Sequence, residues 1–134
     1  MEAAMPITVL VADDKEVVLR AVRVLLRRDP EIRIVGQTGT YQQTTQSILD
    51  LKPQVVVMDL HMPDESSTSP QEIKSVLDTS GSGLIAMSFW NDQDTQALAK
   101  NLGAVTLLDK LRLVSELIPA IKAATVTHTF LHHL

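Results

Sequence analysis

The chain has 134 residues, a length typical of one domain, and 45% of them are hydrophobic, which is enough for one sizeable core. Its formal net charge of -4 argues against direct nucleic-acid binding, and the absence of cysteine excludes disulfides, thiolate metal sites and cysteine nucleophiles. The N-terminal sequence lacks the basic region of a signal peptide, and no apolar run is long enough to span a membrane. We therefore expect a cytoplasmic protein without membrane contact.

Short apolar runs and amphipathic segments alternate along the chain. Five apolar runs predict buried β-strands, at residues 7–12, 32–35, 54–58, 84–87 and 105–108. After each run, apolar side chains at helical spacing predict a helix, and these helices begin near Lys15, Tyr41, Pro70, Asn91 and Leu113. Ser69 before Pro70, with Glu72 three residues after it, is typical of a helix N-terminus.

The strict alternation predicts an α/β fold, a doubly wound (βα)5 three-layer sandwich around a parallel five-stranded sheet. We assign residues 1–124 to this one domain, with the flavodoxin-like strand order 2-1-3-4-5. Residues 125–134 show no clear period and are interpreted as a tail, either the start of a linker or a remnant of cloning. The tail contains three histidines, which could indicate a metal site, but we prefer the interpretation as a disordered segment: His128, His132 and His133.

Polar side chains stand at the ends of four predicted strands. Strand one ends in Asp13 and Asp14, and strand three ends in Asp59. Strand four ends in Ser88, and strand five leads to Lys110. In an open α/β sheet, ligands bind outside the carboxyl ends of the strands, where the strand order reverses. Strands one and three are neighbours at that point, so we expect the three carboxylates to converge.

Three clustered carboxylates repel each other and require a cation, and all-oxygen ligation in a small open site suits Mg²⁺. A carboxylate beside Mg²⁺, a hydroxyl and a lysine is suited to phosphoryl transfer. The carboxylate attacks, while the metal and the lysine neutralise oxygens of the transferring group. Taken singly, these residues have simpler interpretations as helix caps, turn residues or a solvated lysine. Their joint position at four strand ends favours the functional interpretation.

The sequence resembles a response-regulator receiver domain over about residues 7–124. The resemblance rests on four segments, VLVADDKEVVLRAVRVLL, VVVMDLHMP, IAMS and LLDK. The run RRDPEIRIVGQTG is most similar to receivers of LuxR-type regulators. The resemblance implies two-component signal transduction, in which a histidine kinase or a phosphotransfer protein is the partner. It also implies that the chain acts as a phosphoacceptor that catalyses its own phosphorylation and dephosphorylation, with no separate substrate.

The family resemblance implies a role for each residue at the strand ends. Asp59 matches the phosphorylated aspartate, Ser88 the hydroxyl residue that follows the phosphate, and Lys110 the lysine of the site. The implied Mg²⁺ ligands are Asp13, Asp14, Asp59 and the backbone carbonyl of His61. We interpret the His61 side chain as a loop histidine that faces solvent rather than as a ligand. A homodimer through the fourth and fifth helices is a further expectation.

The sequence departs from the family pattern around the switch. Leu107 stands where receivers usually carry an aromatic residue, and Leu111 stands where a proline usually follows the lysine. After Ser88 a small residue is usual, but this chain has Phe89 and Trp90. We expect this aromatic pair either to anchor a partner or to cover the mouth of the site.

Three alternatives to a phosphorylated receiver follow from these features. A pseudo-receiver would keep the fold and only bind partners. A fragment of a LuxR-type transcriptional regulator would have lost a DNA-binding domain, which is not present in this sequence. A hydrolase of the haloacid-dehalogenase kind is the weakest alternative, because those enzymes place an aspartate two residues past the nucleophile, where this chain has His61.

Overall fold

A parallel five-stranded sheet forms the centre of the computed structural model, which describes residues 5–132 and the side chains of residues 5–125. The strands are β1 (Ile7–Ala12), β2 (Ile32–Thr38), β3 (Val55–Asp59), β4 (Gly83–Ser88) and β5 (Thr106–Asp109). The helices are α1 (Glu16–Leu26), α2 (Tyr41–Leu51), α3 (Pro70–Ser80), α4 (Gln93–Asn101) and α5 (Leu113–His132). Single-turn 3₁₀ helices lie at Glu65–Ser67 and Lys110–Arg112. The strand order is β2-β1-β3-β4-β5, which confirms the predicted fold class.

The sheet has a separate apolar core on each face, because successive side chains of a strand point to opposite sides. Val9 and Val11 of β1 belong to the core under α1 and α5. Leu10 and Ala12 belong to the core under α2, α3 and α4. Strands covered on both faces are continuously apolar, which explains why short runs such as residues 54–58 predict them correctly.

Strand β2 is longer than predicted and continues through Gly36 to Thr38. The register with β1 shifts here, since Val9 pairs with Ile34 but the next residue, Leu10, pairs with Gly36. A Cβ atom at Gly36 would lie 2.9 Å from Cδ1 of Leu51 in α2. The glycine therefore allows the helix to pack closely over an irregular strand, rather than ending the strand.

The structure also differs from the predicted C-terminal tail. Helix α5 runs from Leu113 to His132, so the backbone of residues 125–132 continues the last helix. Buried side chains at Leu113, Leu117, Ile121 and Ala124 anchor the first part of this helix, and a helix that is already nucleated extends at low cost. The side chains of His128, His132 and His133 lie outside the described residues. Among the residues described, no helix is both long and apolar enough to cross a membrane.

Candidate functional site

Three carboxylates meet at the carboxyl end of the sheet. Strands β1 and β3 are parallel neighbours, and Ala12 pairs with Met58, so Asp13 and Asp59 follow at the same level. Both of these aspartates are buried, whereas Asp14 is exposed at the start of the next loop. One carboxylate oxygen from each of the three residues lies within 4.8 Å of the others. The structure thus brings together the acids that the sequence placed at two strand ends.

The buried ammonium group of Lys110 binds two of these acids. Its Nζ lies 2.6 Å from Asp13 Oδ2 and 3.3 Å from Asp59 Oδ1. Lys110 begins the 3₁₀ turn after β5, where the Asp109 carboxylate accepts a hydrogen bond from the Leu111 N–H at 2.9 Å. That capped turn holds the lysine at the edge of the sheet, where a buried cation lowers the repulsion between the acids.

A second lysine, Lys15, was not identified from the sequence. Its Nζ lies 3.1 Å from Asp14 Oδ1 and 3.9 Å from Asp59 Oδ2, and its backbone N–H donates to Asp13 Oδ1 at 2.9 Å. The hydrogen bond to Asp14 raises the pKa of Lys15, with nearby carboxylates adding to the effect. The only signal for this role in the sequence is the position of Lys15 directly after the acid pair.

The Asp59 carboxyl combines burial with an unused oxygen. Burial raises the pKa of Asp59, and the charge of Asp13 adds to this rise, while the His61 N–H and Lys110 act in the opposite direction. Asp59 Oδ1 accepts a hydrogen bond from the His61 N–H at 3.1 Å. Asp59 Oδ2 is buried and accepts no hydrogen bond from any residue between 5 and 125. The three clustered carboxylates form an all-oxygen donor set that fits a divalent cation such as Mg²⁺, and this Oδ2 leaves one oxygen of Asp59 free for a further contact.

Ser88 and His61 occupy the neighbouring loops. Ser88 is the last residue of β4 and is buried, and its Oγ accepts a hydrogen bond from the Trp90 N–H at 3.0 Å. The sequence predicts that the His61 side chain faces solvent. Instead, its ring packs edge-on against Trp90, with 5.2 Å between the ring centroids. Its Nδ1 also lies 3.2 Å from Glu65 Oε2. The histidine ring therefore links the loop after β3 to the loop after β4.

The aromatic pair after Ser88 lies at the mouth of the site. The Lys110 Nζ is 5.0 Å from the centre of the Phe89 ring, within the range of a cation–π contact. Both rings are nonetheless exposed to solvent, Phe89 by 45% and Trp90 by 61%. Phe89 thus contacts the lysine of the site and Trp90 contacts His61, which supports the covering role, while the exposure of both rings leaves them available to anchor a partner.

The two remaining departures from the family pattern, Leu107 and Leu111, have different surroundings. Leu107 is partly buried and packs against the core beneath α4, whereas Leu111 is 80% exposed. The peptide bond between Lys110 and Leu111 is trans, as are all the bonds of the described chain. A cleft of about 350 Å³ opens beside these residues and is lined by Phe89, Trp90, Asn91, Leu107, Leu108, Asp109, Arg112 and Glu116.

Comparison with known sequences identifies the family. The family model of the response regulator receiver domain matches residues 9–122. Protein-glutamate methylesterase/protein-glutamine glutaminase 1 of Syntrophomonas wolfei is 31% identical over 130 residues, which cover 89% of this chain and 36% of that protein. Transcriptional regulatory protein PdtaR of Mycobacterium tuberculosis is 30% identical over 124 residues, covering 92% of this chain and 58% of that protein. The chain therefore spans less than two thirds of either relative.

Solved structures agree with this match. The response regulator domain of Thermotoga maritima CheB has a TM-score of 0.77 at 21% identity, covering 90% of this chain and 96% of that one. A LuxR-family two-component response regulator from Aurantimonas has a TM-score of 0.80 at 20% identity, covering 91% and 86%. These similarities show the fold. Since the family match extends over most of the chain, this chain belongs to the response regulator receiver domains of two-component systems, whose general function is phosphoryl acceptance.

Proposed function

We propose that this receiver domain accepts a phosphoryl group on Asp59 in a Mg²⁺-dependent reaction. The observation that carries the proposal is the convergence of Asp13, Asp14 and Asp59 within 4.8 Å, with Lys110 bound to two of them. Burying several charges together contributes little to stability, because desolvation offsets their attraction. A purely structural role is therefore a poor explanation for this cluster, whereas binding a cation and a phosphoryl group explains every member.

The two oxygens of Asp59 have different surroundings, which supports a choice of the attacking atom. Oδ1 is held by the His61 N–H and by Lys110, while Oδ2 accepts no hydrogen bond from the described residues. We infer that Oδ2 attacks phosphorus. The new bond joins Oδ2 to phosphorus, and the bond between phosphorus and the donor atom breaks, with its electron pair leaving on the donor. The donor is a phosphohistidine of the partner or a small acyl phosphate.

The remaining residues of the site stabilise the transferred group. Asp13, Asp14, Asp59 and the His61 carbonyl would hold Mg²⁺. When bound, the metal neutralises charge on the phosphoryl oxygens. Lys110 contributes a fixed positive charge beside Asp59, and the Ser88 hydroxyl lies at the end of the adjacent strand, where it can donate to a phosphoryl oxygen. No separate substrate is turned over, so the chain acts as a switch or as a relay for the phosphoryl group.

The proposed partner is a histidine kinase or a phosphotransfer protein, and exposed apolar side chains near the site support this. Val17 in the first turn of α1 is 78% exposed, and Leu111 after the site lysine is also exposed. Exposed apolar groups around a site are typical of a protein-binding surface. We extend the proposal to a homodimer through α4 and α5 and to a cytoplasmic location, and we expect no direct contact with nucleic acid or membrane.

A second candidate is a pseudo-receiver that binds partners without being phosphorylated. Phe89 favours it, because its ring lies against Lys110 at the place where a phosphoryl group must enter. Leu107 favours it as well, since it replaces the usual aromatic switch residue. Activities of a longer protein, such as DNA binding in a LuxR-type regulator or the methylesterase named for one relative, are separate proposals about segments outside this chain.

Labelling with acetyl phosphate and Mg²⁺ tests the proposal. Intact-mass measurement should show one added phosphoryl group on the parent chain, and Asp59→Asn should abolish most of it. Asp50→Asn is the matched control, because it makes the same substitution at an exposed residue of α2, whose carboxylate accepts a hydrogen bond from the Gln46 side chain and is not part of the cluster. Equal labelling of the parent and the Asp59→Asn chain would refute the assignment, and absence of labelling in the parent would favour the pseudo-receiver.

A further inference from the structure

Tyr41 makes a buried hydrogen bond to the loop that carries the site. It is the first residue of α2 and is only 2% exposed. Its hydroxyl donates to the backbone carbonyl of Leu60 at 2.5 Å, and Leu60 directly follows Asp59. Burial raises the pKa of the Tyr41 hydroxyl, so this group stays protonated and remains a donor at neutral pH. A buried hydroxyl with one defined acceptor fixes the position of that acceptor.

The Leu60 carbonyl and the His61 N–H belong to the same planar peptide unit. The N–H end of this unit donates to Asp59 Oδ1 at 3.1 Å, and the carbonyl end accepts from Tyr41. The preceding N–H, of Leu60, donates to the Met87 carbonyl of β4 at 3.2 Å. Because the unit is rigid, the tyrosine hydroxyl at one end sets the direction of the N–H that orients the Asp59 carboxylate at the other.

Asp64 attaches the far side of the same loop to α2. Its carboxylate accepts from the backbone N–H of Tyr41 at 2.8 Å and from that of Gln42 at 3.0 Å. A carboxylate at a helix N-terminus satisfies free N–H groups and interacts favourably with the helix dipole. The first turn of α2 therefore holds the loop at Leu60 and at Asp64, on either side of residues 61–63. The His61 carbonyl lies in the segment so enclosed.

We propose that Tyr41 is a positioning residue for the phosphorylation site, acting through the peptide between Leu60 and His61, with Asp64 holding the other end of the loop. This inference rests on the proposed function, because its consequence is the correct orientation of Asp59 and of the His61 carbonyl toward Mg²⁺. Tyr41 touches neither the metal ligands' oxygens nor the transferring group. It links the start of α2 to the geometry of the site.

The test compares Tyr41→Phe with a matched control, Ser82→Ala. Both substitutions remove a buried hydroxyl that donates a hydrogen bond to a backbone carbonyl. The Ser82 hydroxyl donates to the Pro53 carbonyl at 2.6 Å, at the opposite end of the sheet. Two readouts are used on the unphosphorylated chain: the Mg²⁺ dissociation constant, from fluorescence of the single tryptophan, and hydrogen exchange of the His61 amide without metal. Trp90 suits the first readout because its ring contacts His61.

Tyr41→Phe should raise the Mg²⁺ dissociation constant by about tenfold, as is typical for residues that orient metal ligands, and should speed exchange of the His61 amide. Ser82→Ala should leave both values as in the parent. Parent-like values in Tyr41→Phe would overturn the proposal. If Tyr41→Phe does not fold, the same two measurements are made on Asp64→Asn. We expect smaller changes in the same direction, and parent-like values in Asp64→Asn would overturn the proposal. A parent that binds no Mg²⁺ would contradict the proposed function, whereas the exchange measurement tests the role of Tyr41 independently.

Discussion

At β1 and β3 the charged groups of the site are buried and paired, whereas the residues that follow Ser88 and Lys110 at β4 and β5 are apolar and exposed. Asp13 and Asp59 contact Lys110 inside the sheet edge, while Phe89 is half-exposed and Leu111 is 80% exposed. The residues that carry the proposed chemistry are therefore distinct from the residues that control access to the site. Substitutions on the first side should change stability and metal binding, and substitutions on the second side should change rates with little effect on either.

The largest effect is expected for Lys110→Met without metal. The substitution removes the cation from two buried carboxylates, and breaking a buried ion pair in this way costs about 3–5 kcal/mol of unfolding free energy. Adding Mg²⁺ should recover part of the loss, because the metal binds the same acids. Urea unfolding with and without Mg²⁺ measures both values. A loss below about 1 kcal/mol would show that the pairing at β1 and β3 is not important for the fold.

Mg²⁺ affinity should depend on Asp14 more than on Asp13. Asp13 is already engaged by Lys110 at 2.6 Å and by the Lys15 N–H at 2.9 Å, whereas Asp14 is exposed and pairs with the Lys15 ammonium at 3.1 Å. We expect Asp14→Asn to weaken Mg²⁺ binding by about tenfold or more. Isothermal titration of both variants provides the comparison. Equal losses in Asp13→Asn and Asp14→Asn would contradict the distinction between the buried and the exposed acid.

The raised pKa of Asp59 predicts that the unfolding free energy of the metal-free chain depends on pH. Between the ordinary carboxyl pKa of about 4 and the raised value, the folded chain binds more protons than the unfolded chain, so the contribution of Asp59 to stability falls as pH rises. Asp59→Asn should therefore stabilise the metal-free chain at neutral pH, and this gain should shrink as the pH is lowered. Urea midpoints of both chains measured across pH provide the test. If the stabilisation by Asp59→Asn instead grew as the pH was lowered, the prediction would be contradicted.

The smallest effect on stability is expected for Phe89→Ala, which sharpens the other side of the comparison. Because the ring is half-exposed, the change should cost about 0.5 kcal/mol, far less than for a core phenylalanine. Opening the mouth should speed phosphorylation by acetyl phosphate and dephosphorylation a few-fold, with Mg²⁺ affinity unchanged. Val105→Ala, at a similarly exposed apolar side chain before β5, is the control. Rates that match the parent would exclude a covering role for Phe89.

The sequence predicts the residues at the strand ends because parallel strands share one carboxyl edge. Asp13, Asp59, Ser88 and Lys110 all lie there. The alternating pattern predicts the parallel sheet, whereas the strand order comes from the flavodoxin-like arrangement, which the structure has. Ser69 also precedes α3 as predicted, yet its hydroxyl bonds the Gln71 side chain instead of capping the helix backbone. Which local hydrogen bond forms depends on rotamers that the pattern does not specify.

Contacts between loops were not predictable in the same way. The bond from Tyr41 to Leu60 and the packing of His61 on Trp90 join residues 19 and 29 positions apart, and neither pair carries a periodic signal. Such contacts depend on the three-dimensional path of each loop, which only the packed structure defines. The extension of β2 past Gly36 was also not predicted, because it depends on the pairing of residues 36–38 with β1.

Binding of beryllofluoride, a mimic of the acyl phosphate, tests most directly whether Asp59 is a Mg²⁺-dependent phosphoacceptor. With Mg²⁺ present, beryllofluoride should produce a saturable change in Trp90 fluorescence in the parent chain and in Asp50→Asn. The change should be lost in Asp59→Asn and when Mg²⁺ is omitted. No response in the folded parent, or an equal response in Asp59→Asn, would contradict the assignment of phosphoryl acceptance to Asp59.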